Sequence, residues 1–380
     1  MIFRKKPDLR KWGEGILHLN TAKTWRGGEQ QVLYLAEQIQ KNQGRQIVAG
    51  QPGSELQKRC LEKNIPFFPV RMFGEIDIFA AKKIAAAAQA NNLGILHAHT
   101  AKAHSLALLA KKYNPDLKLI VSRRVDFPAG RGYFSRKKYL SPLVDMYLAI
   151  SENVRRILES DGIPRHKIEI AYSGIDLTRF KSLPDPEYLR KEFAIRPGEI
   201  ILGNVAALVD HKDQKTLIRA FHILKGQGRS KKLTRLFILG EGELRKKLAK
   251  LAWAGPARNS IVFTGFRRDV NAFLNLFDIF VMSSKEEGLG TAVLDAMACG
   301  LPVAATEGGG IPEMIDDEKG GYLVQVGAAE ALAGALAKLV ESEALRNKYG
   351  NYNKKRVHDF SCESTYEATV RAYLKLTGNY

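Results

Sequence analysis

The stretch "SSKEEGLGTAVLDAMACGLPVAATEGGGIPEMI" (residues 283–315) contains the same event twice. A Gly-containing turn, "EEGLG", opens the apolar helical run "TAVLDAMA". The apolar strand "LPVAAT" then leads into a second Gly-rich turn, "EGGG", and another helix start, "IPEMI". Strand, loop and helix in alternation are the unit of a parallel sheet covered on both faces. The same rhythm extends outward in both directions. "IILGNVAAL", "TRLFILGEGE", "IVFTGF" and "IFVMSS" precede the stretch as strands, with "QKTLIRAFHILKG" as a helix, and "GYLV" follows it. Earlier come "GILHLN" (15–20), the helix "EQQVLYLAEQIQKN", "QIVAG", "GILHAH" (94–99), the helix "AHSLALLAKKY", "KLIVSRR" and "MYLAIS". The rhythm pauses between about Ser173 and Pro197, in a segment rich in Pro and charge. The pattern predicts an α/β protein of two doubly wound, Rossmann-like domains, 1–172 and 173–359. An amphipathic helix at about 360–380 is expected to pack back on the first.

Composition agrees with that architecture. Three hundred and eighty residues suffice for two ordinary domains. A hydrophobic fraction of 45% excludes a disordered chain. No apolar run approaches the roughly 18 residues of a membrane span. Cys60, Cys299 and Cys362 lie far apart with no CxxC, which argues against a disulfide framework or a zinc site; Cys299 reads as a core residue. The N-terminus lacks the apolar core of a signal peptide, so a cytoplasmic location is expected. The net charge of +19 points to an anionic partner: nucleic acid, an acidic membrane surface or a phosphorylated substrate.

Several residue groups carry chemistry. Glu287 opens one Gly-rich turn, and Asp295 follows on the helical run. The two carboxylates can face one cleft, Glu287 accepting from sugar hydroxyls and Asp295 from a ribose. Between them, Gly288, Leu289, Gly290 and Thr291 bring backbone amides to a helix N-terminus, where phosphate oxygens bind. Gly27 and Gly28 form a comparable turn after the first strand. They are not GxGxxG, and a nicotinamide site is weakly supported. His97, His99 and His104 cluster after "GIL". The first two are assigned opposite faces of the strand, so that only one enters a site. Zinc binding by this pair is a weak alternative, because no third ligand is suggested. His104 is expected near the site or in solvent. The loop 122–141 holds Arg123, Arg124, Arg131, Arg136, Lys137 and Lys138, interleaved with Tyr133, Phe134 and Tyr139. Such a patch suits an acidic lipid surface or nucleic acid.

These residues reach a resemblance. The 283–315 segment resembles the E-x7-E element of the GT4 family (group 1) of retaining glycosyltransferases with GT-B fold, Asp295 standing for the second Glu. "SGIDLTRF", "VAALVDHKDQKTLIRAF", "FILGEGELRKKL", "VFTGFRRDV" and "ILHAHTAKAHSLALLA" resemble other motifs of that family, so the likeness covers nearly the whole chain. It implies two domains facing each other across a cleft, with the donor on the C-terminal one. It implies that Lys212 neutralises the donor diphosphate and that His99 contacts the transferred sugar. His97 is then a packing residue. Gly240, Gly242, Phe266 and Arg267 fall in the nucleotide-site loops. Where the family has an Arg, this chain has Ala207; Lys215, Lys285, Arg123 and Arg124 are the available replacements.

The expected activity is transfer of a sugar from a nucleotide-diphosphate-sugar donor to a saccharide or lipid-linked glycan acceptor. It is expected in lipopolysaccharide or related cell-envelope synthesis, peripheral at the inner face of the cytoplasmic membrane, with no metal, no cofactor and no nucleic acid. Alternatives are a GT-B phosphorylase, a sugar-nucleotide epimerase or, remotely, a nucleic-acid-binding protein.

Overall fold

A computed structural model describes residues 14–126, 132–226 and 232–378. The chain forms two compact units, Met1–Gly174 with Ser361–Tyr380, and Ile175–Phe360. In the first unit the described strands are β1 (Gly15–Leu19), β2 (Gln46–Gly50), β3 (Phe67–Pro69), β4 (Leu93–Ala98), β5 (Lys118–Arg123), β6 (Met146–Ala149) and β7 (Ile168–Ile170). Its helices are α1 (Gly27–Lys41), α2 (Glu55–Glu62), α3 (Ile78–Ala90), α4 (Ala101–Tyr113), α5 (Tyr133–Tyr139) and α6 (Glu152–Ser160). All five residues of β1 are buried, as a strand covered on both faces requires. The helices start where a side chain can satisfy a free amide: Asp77, Thr100 and Ser151 accept from Ala80, Ala103 and Val154.

The second unit holds α7 (Glu187–Glu192), β8 (Ile200–Val205), α8 (Gln214–Gly226), β9 (Thr234–Leu239), α9 (Arg245–Trp253), β10 (Ile261–Gly265), α10 (Val270–Leu276) and β11 (Ile279–Met282). α11 (Thr291–Ala298), β12 (Val303–Thr306), α12 (Ile311–Met314), β13 (Gly321–Val324), α13 (Ala329–Glu341) and α14 (Glu343–Arg356) complete it. The last helix, α15 (Cys362–Thr377), returns to the first unit. Its Tyr366, Val370 and Tyr373 join Ile16, Leu35, Ile95, Ile120 and Met146 in one core.

Among the described residues the sheets are wholly parallel, in the orders β3-β2-β1-β4-β5-β6-β7 and β10-β9-β8-β11-β12-β13. Each order reverses direction once, between β1 and β4 and between β8 and β11. Open α/β sheets bind ligands beyond the carboxyl ends of the two strands at such a reversal. The sequence-predicted site residues His99, Lys212 and Glu287 lie just past the ends of β4, β8 and β11.

Candidate functional site

In the second unit, three loops after β8, β11 and β12 are tied together. The Ser283 hydroxyl donates to the carbonyls of Lys212 (3.1 Å) and Asp213 (2.9 Å), and the Lys285 amide donates to His211 O at 2.8 Å. The Thr306 hydroxyl donates to Ser284 O at 2.6 Å, and the Gly310 amide to Glu287 O at 2.8 Å. Only glycine fits the third loop. A Cβ on Gly308 would sit 2.1 Å from Ser284 O, and one on Gly309 2.1 Å from Glu287 O, at φ +60°. Gly240 and Gly242 approach the carbonyls of Ala206 and Leu208 just as closely, joining the loop after β9 to the loop after β8.

This framework holds one charged pair at its centre. Lys212 Nζ is ion-paired with Glu287 Oε2, which also accepts from Ser284 Oγ at 3.2 Å. Both side chains are mostly buried, 17% and 12% exposed. Asp295 does not share these partners. It sits on α11 beside Arg179, Nη1 to Oδ1 3.8 Å, and burial pushes its carboxyl up to about 6 against the pull of Arg179. Gly290, at φ +98°, caps α11, while Leu289 is buried and Thr291 is the first residue of the helix. Gly288 lies against the loop of Gly310. Phe266 is exposed, but Arg267 beside it is committed to Glu192 and Asp269 at 2.7–3.2 Å, which raises its pKa further. Of the replacements for the missing arginine at Ala207, Lys285 pairs with the exposed Asp210 at 2.9 Å and Lys215 is exposed on α8.

In the first unit the histidines are arranged differently from expectation. Residues i and i+2 of a strand share a face, so His97 and His99 are not separated. Their ring centroids lie 3.9 Å apart. A third imidazole, His18 of β1, joins them because β1 and β4 pair with His18 directly beside His97. One nitrogen from each ring lies within 4.8 Å of the others, so the expectation that the pair has no third ligand fails. Hydrogen bonds nevertheless engage both nitrogens of two of the rings. His97 bonds Tyr373 Oη (2.6 Å) and Ser122 Oγ (2.8 Å). His99 bonds His18 Nδ1 through Nε2 (3.0 Å) and Arg124 through Nδ1 (3.4 Å).

A guanidinium only donates, so His99 Nδ1 accepts, its Nε2 carries the proton, and His18 Nδ1 accepts in turn. Burial holds His18 down at about 3, partly offset by the Gln46 side chain, and holds His97 and His99 well below the usual imidazole range. The three rings are thus neutral, linked to one another and to Arg124, Ser122 and Tyr373 by hydrogen bonds.

His104 is neither at this site nor in solvent. It is buried edge-on against Tyr139 and Tyr147. The basic loop divides. Arg123 is buried and donates to Tyr139 Oη at 2.5 Å, and Arg124 turns to Ser173 (3.2 Å) and His99, so neither belongs to an exposed basic face. Arg136 and Lys137 are exposed, and Lys138 bonds Glu75 at 3.2 Å. Arg131 lies outside the described residues. Gly27 and Gly28 begin α1 without positive φ, and no atom lies within 4 Å of where a Cβ would stand, so that helix start is open to close approach.

Comparisons with known proteins fit this geometry. The family described as "Glycosyl transferases group 1" matches residues 185–356, and "Glycosyltransferase Family 4" matches residues 25–179. The putative glycosyltransferase EpsD of Bacillus subtilis is 31% identical over 246 residues, covering 63% of each chain. The lipopolysaccharide core biosynthesis glycosyltransferase LpsE of Rhizobium meliloti is 33% identical over 177 residues, 46% of this chain. The chain thus spans 63% and 49% of the lengths of these two relatives. The crystal structure of Anabaena Alr3699/HepE in complex with UDP and glucose superposes with a TM-score of 0.80 at 18% identity, covering 95% of this chain and all of that one. Two parallel sheets, each with one reversal of strand order, the tied glycine loops around Lys212 and Glu287, and these matches together show that the chain belongs to the GT4 family, the group 1 glycosyltransferases, and has their GT-B fold.

Proposed function

We propose that the protein is a retaining glycosyltransferase that moves a sugar from a nucleotide-diphosphate donor to a saccharide acceptor in envelope glycan synthesis, with lipopolysaccharide as the nearest case. The carrying observation is the Lys212–Glu287 ion pair at the β8/β11 reversal. Desolvation offsets much of what a mostly buried pair contributes to stability, so stability alone is a weak reason for it to stand there. On donor binding, Lys212 turns to the diphosphate and Glu287 is released to accept from sugar hydroxyls. Lys212 then stabilises the charge that develops as the bond from the anomeric carbon to the diphosphate breaks. The acceptor hydroxyl attacks on the same face, its proton passes to a departing phosphate oxygen, and configuration is retained. His99 serves as the hydroxyl-binding group of the first unit, exchanging its long bond to Arg124 for one to a sugar. UDP in the HepE complex makes a uridine donor the first to test, and the name of LpsE supports an envelope glycan.

The experiment is a thermal-shift screen with UDP-, GDP-, ADP- and CMP-sugars, followed by NMR of the product's anomeric linkage. A donor at 100 times its Kd stabilises by about 2.7 kcal/mol. No stabilisation by any nucleotide sugar refutes the donor assignment, and an inverted anomer refutes retention. An expected location at the inner face of the cytoplasmic membrane rests here on exposed Arg136 and Lys137; no helix among the described residues is long and apolar enough to cross a membrane.

A further inference from the structure

Three large apolar side chains stand out as the most exposed among the described residues: Phe73 (84%), Phe79 (80%) and Ile76 (79%). Single exposed hydrophobes need no explanation, but a cluster does. All three belong to "FGEIDIF", the turn that enters α3.

The turn is held at both ends. Met72, buried, exchanges two backbone bonds with the Gln51 side chain at 2.7 and 3.3 Å. Asp77 accepts from the Phe73 amide (3.1 Å) and the Ala80 amide (2.9 Å). The apolar side chains therefore project because the loop is built to project them. Glu75, at its centre, accepts from Ser105 (2.6 Å) and from Lys138 (3.2 Å), which brings α5 alongside with exposed Tyr133 at its start.

The rim is basic. On α3, Phe79, Lys82, Lys83 and Ala86 share the exposed side, at the spacing of one helical stripe. Exposed Arg136 and Lys137 lie on α5. Both acids of the turn are already engaged, Glu75 by a cation and Asp77 by amides. A second copy of the chain would present the same cations and repel.

We infer that Phe73, Ile76 and Phe79, with Tyr133, form a cap that inserts into the headgroup–acyl boundary of an anionic lipid bilayer, its basic rim resting on the lipid phosphates. An apolar centre within a cationic rim is the geometry of interfacial binding. This deepens the expected location at the membrane face stated with the proposed function, on which it rests.

The test is co-sedimentation of the full chain with phosphatidylglycerol-containing and pure phosphatidylcholine vesicles, at low and high salt. The wild type binds the anionic vesicles and keeps part of that binding at high salt. Changing Phe73, Ile76 and Phe79 to Ser together lowers binding about a thousandfold, since burying each such side chain contributes about tenfold or more. What binding remains is then lost with salt. In the Phe79→Trp variant, the new indole is quenched by brominated lipid. Equal binding of the triple variant and wild type, no binding of the wild type to anionic vesicles, or an unquenched indole in the vesicle-bound Phe79→Trp variant overturns the cap. So does a wild-type dimer that the triple variant dissolves without any vesicle binding. Thermal stabilisation by nucleotide sugars is unchanged in the triple variant. If the wild type lacks it while binding vesicles, the enzyme reading falls and the cap stands.

Discussion

Replacing His104 with leucine should make the first unit less sensitive to acid. His104 lies on α4 with no exposed surface, its ring edge-on to Tyr139 (5.1 Å) and Tyr147 (6.0 Å), and among the described residues neither nitrogen has a hydrogen-bond partner. Burial, with the charges of Lys138 and Arg123, holds its pKa down at about 3. An unfolded histidine titrates near 6.5. Between those values the unfolded chain binds a proton that the folded chain refuses. Stability is therefore fully present above about pH 6.5 and is lost as pH falls, at about 1.36 kcal/mol per unit. From pH 7 to pH 5 the loss from this one group is about 2 kcal/mol. His104→Leu removes that loss and, by deleting two unpaired buried nitrogens, adds about 1 kcal/mol at pH 7. Trp253→Phe with Trp12→Phe leaves Trp25, in the first unit, as the fluorescent reporter of that unit. Urea unfolding at pH 7 and pH 5 in this background measures the effect. Parallel acid losses in the variant and its parent, within about 0.5 kcal/mol, would refute the reasoning, as would a His104 NMR titration near 6.5.

Lys212→Ala should cost about 2–4 kcal/mol of transition-state stabilisation, the range for one key electrostatic donor; a loss in kcat/KM below about tenfold would mean that another cation already serves the diphosphate. Asp295, raised to about 6, is charged at pH 7 and neutral below 6, so nucleoside-diphosphate affinity should fall as pH drops through 6. Asp295→Asn should flatten that profile in calorimetric titrations. Gly309→Ala places a methyl against Glu287 O at positive φ. It should destabilise the second unit by about 1–3 kcal/mol and abolish transfer, read by thermal melting and a donor-turnover assay.

The alternation of apolar runs and turns is enough to locate the parallel strands, because a strand buried on both faces leaves an unbroken apolar run such as that of β11. The glycine loops of 283–315 are legible for the same reason: close backbone approach admits no other residue. The histidine cluster is not. His18 is 79 positions from His97, and only the placement of β1 beside β4 brings them together; at the end of β4 and just beyond it, the two-residue period puts His97 and His99 on one face, not on the opposite faces expected of them. The inward turn of Arg123 and Arg124 is equally hidden, since a charged pair at a strand end reads as surface until its partners are known. Conversely, Phe73, Ile76 and Phe79 look like core in any periodicity. What keeps them outside is the pinning of the turn by Asp77 and Gln51, a tertiary arrangement that hydropathy does not encode.

The return of α15 to the first unit has a temporal side. During synthesis most of the first unit leaves the ribosome before the second, yet Tyr373, which closes its core and holds His97, is added only after the second unit. The second unit, Ile175–Phe360, is uninterrupted in sequence and contains its own core, so it can fold while the first still lacks a helix. The half of the protein made first is thus the half finished last. Its His97 lacks the Tyr373 partner until α15 is made, and a ribosome that stalls after Phe360 releases a product whose second unit is complete and whose first remains open at the α15 seat.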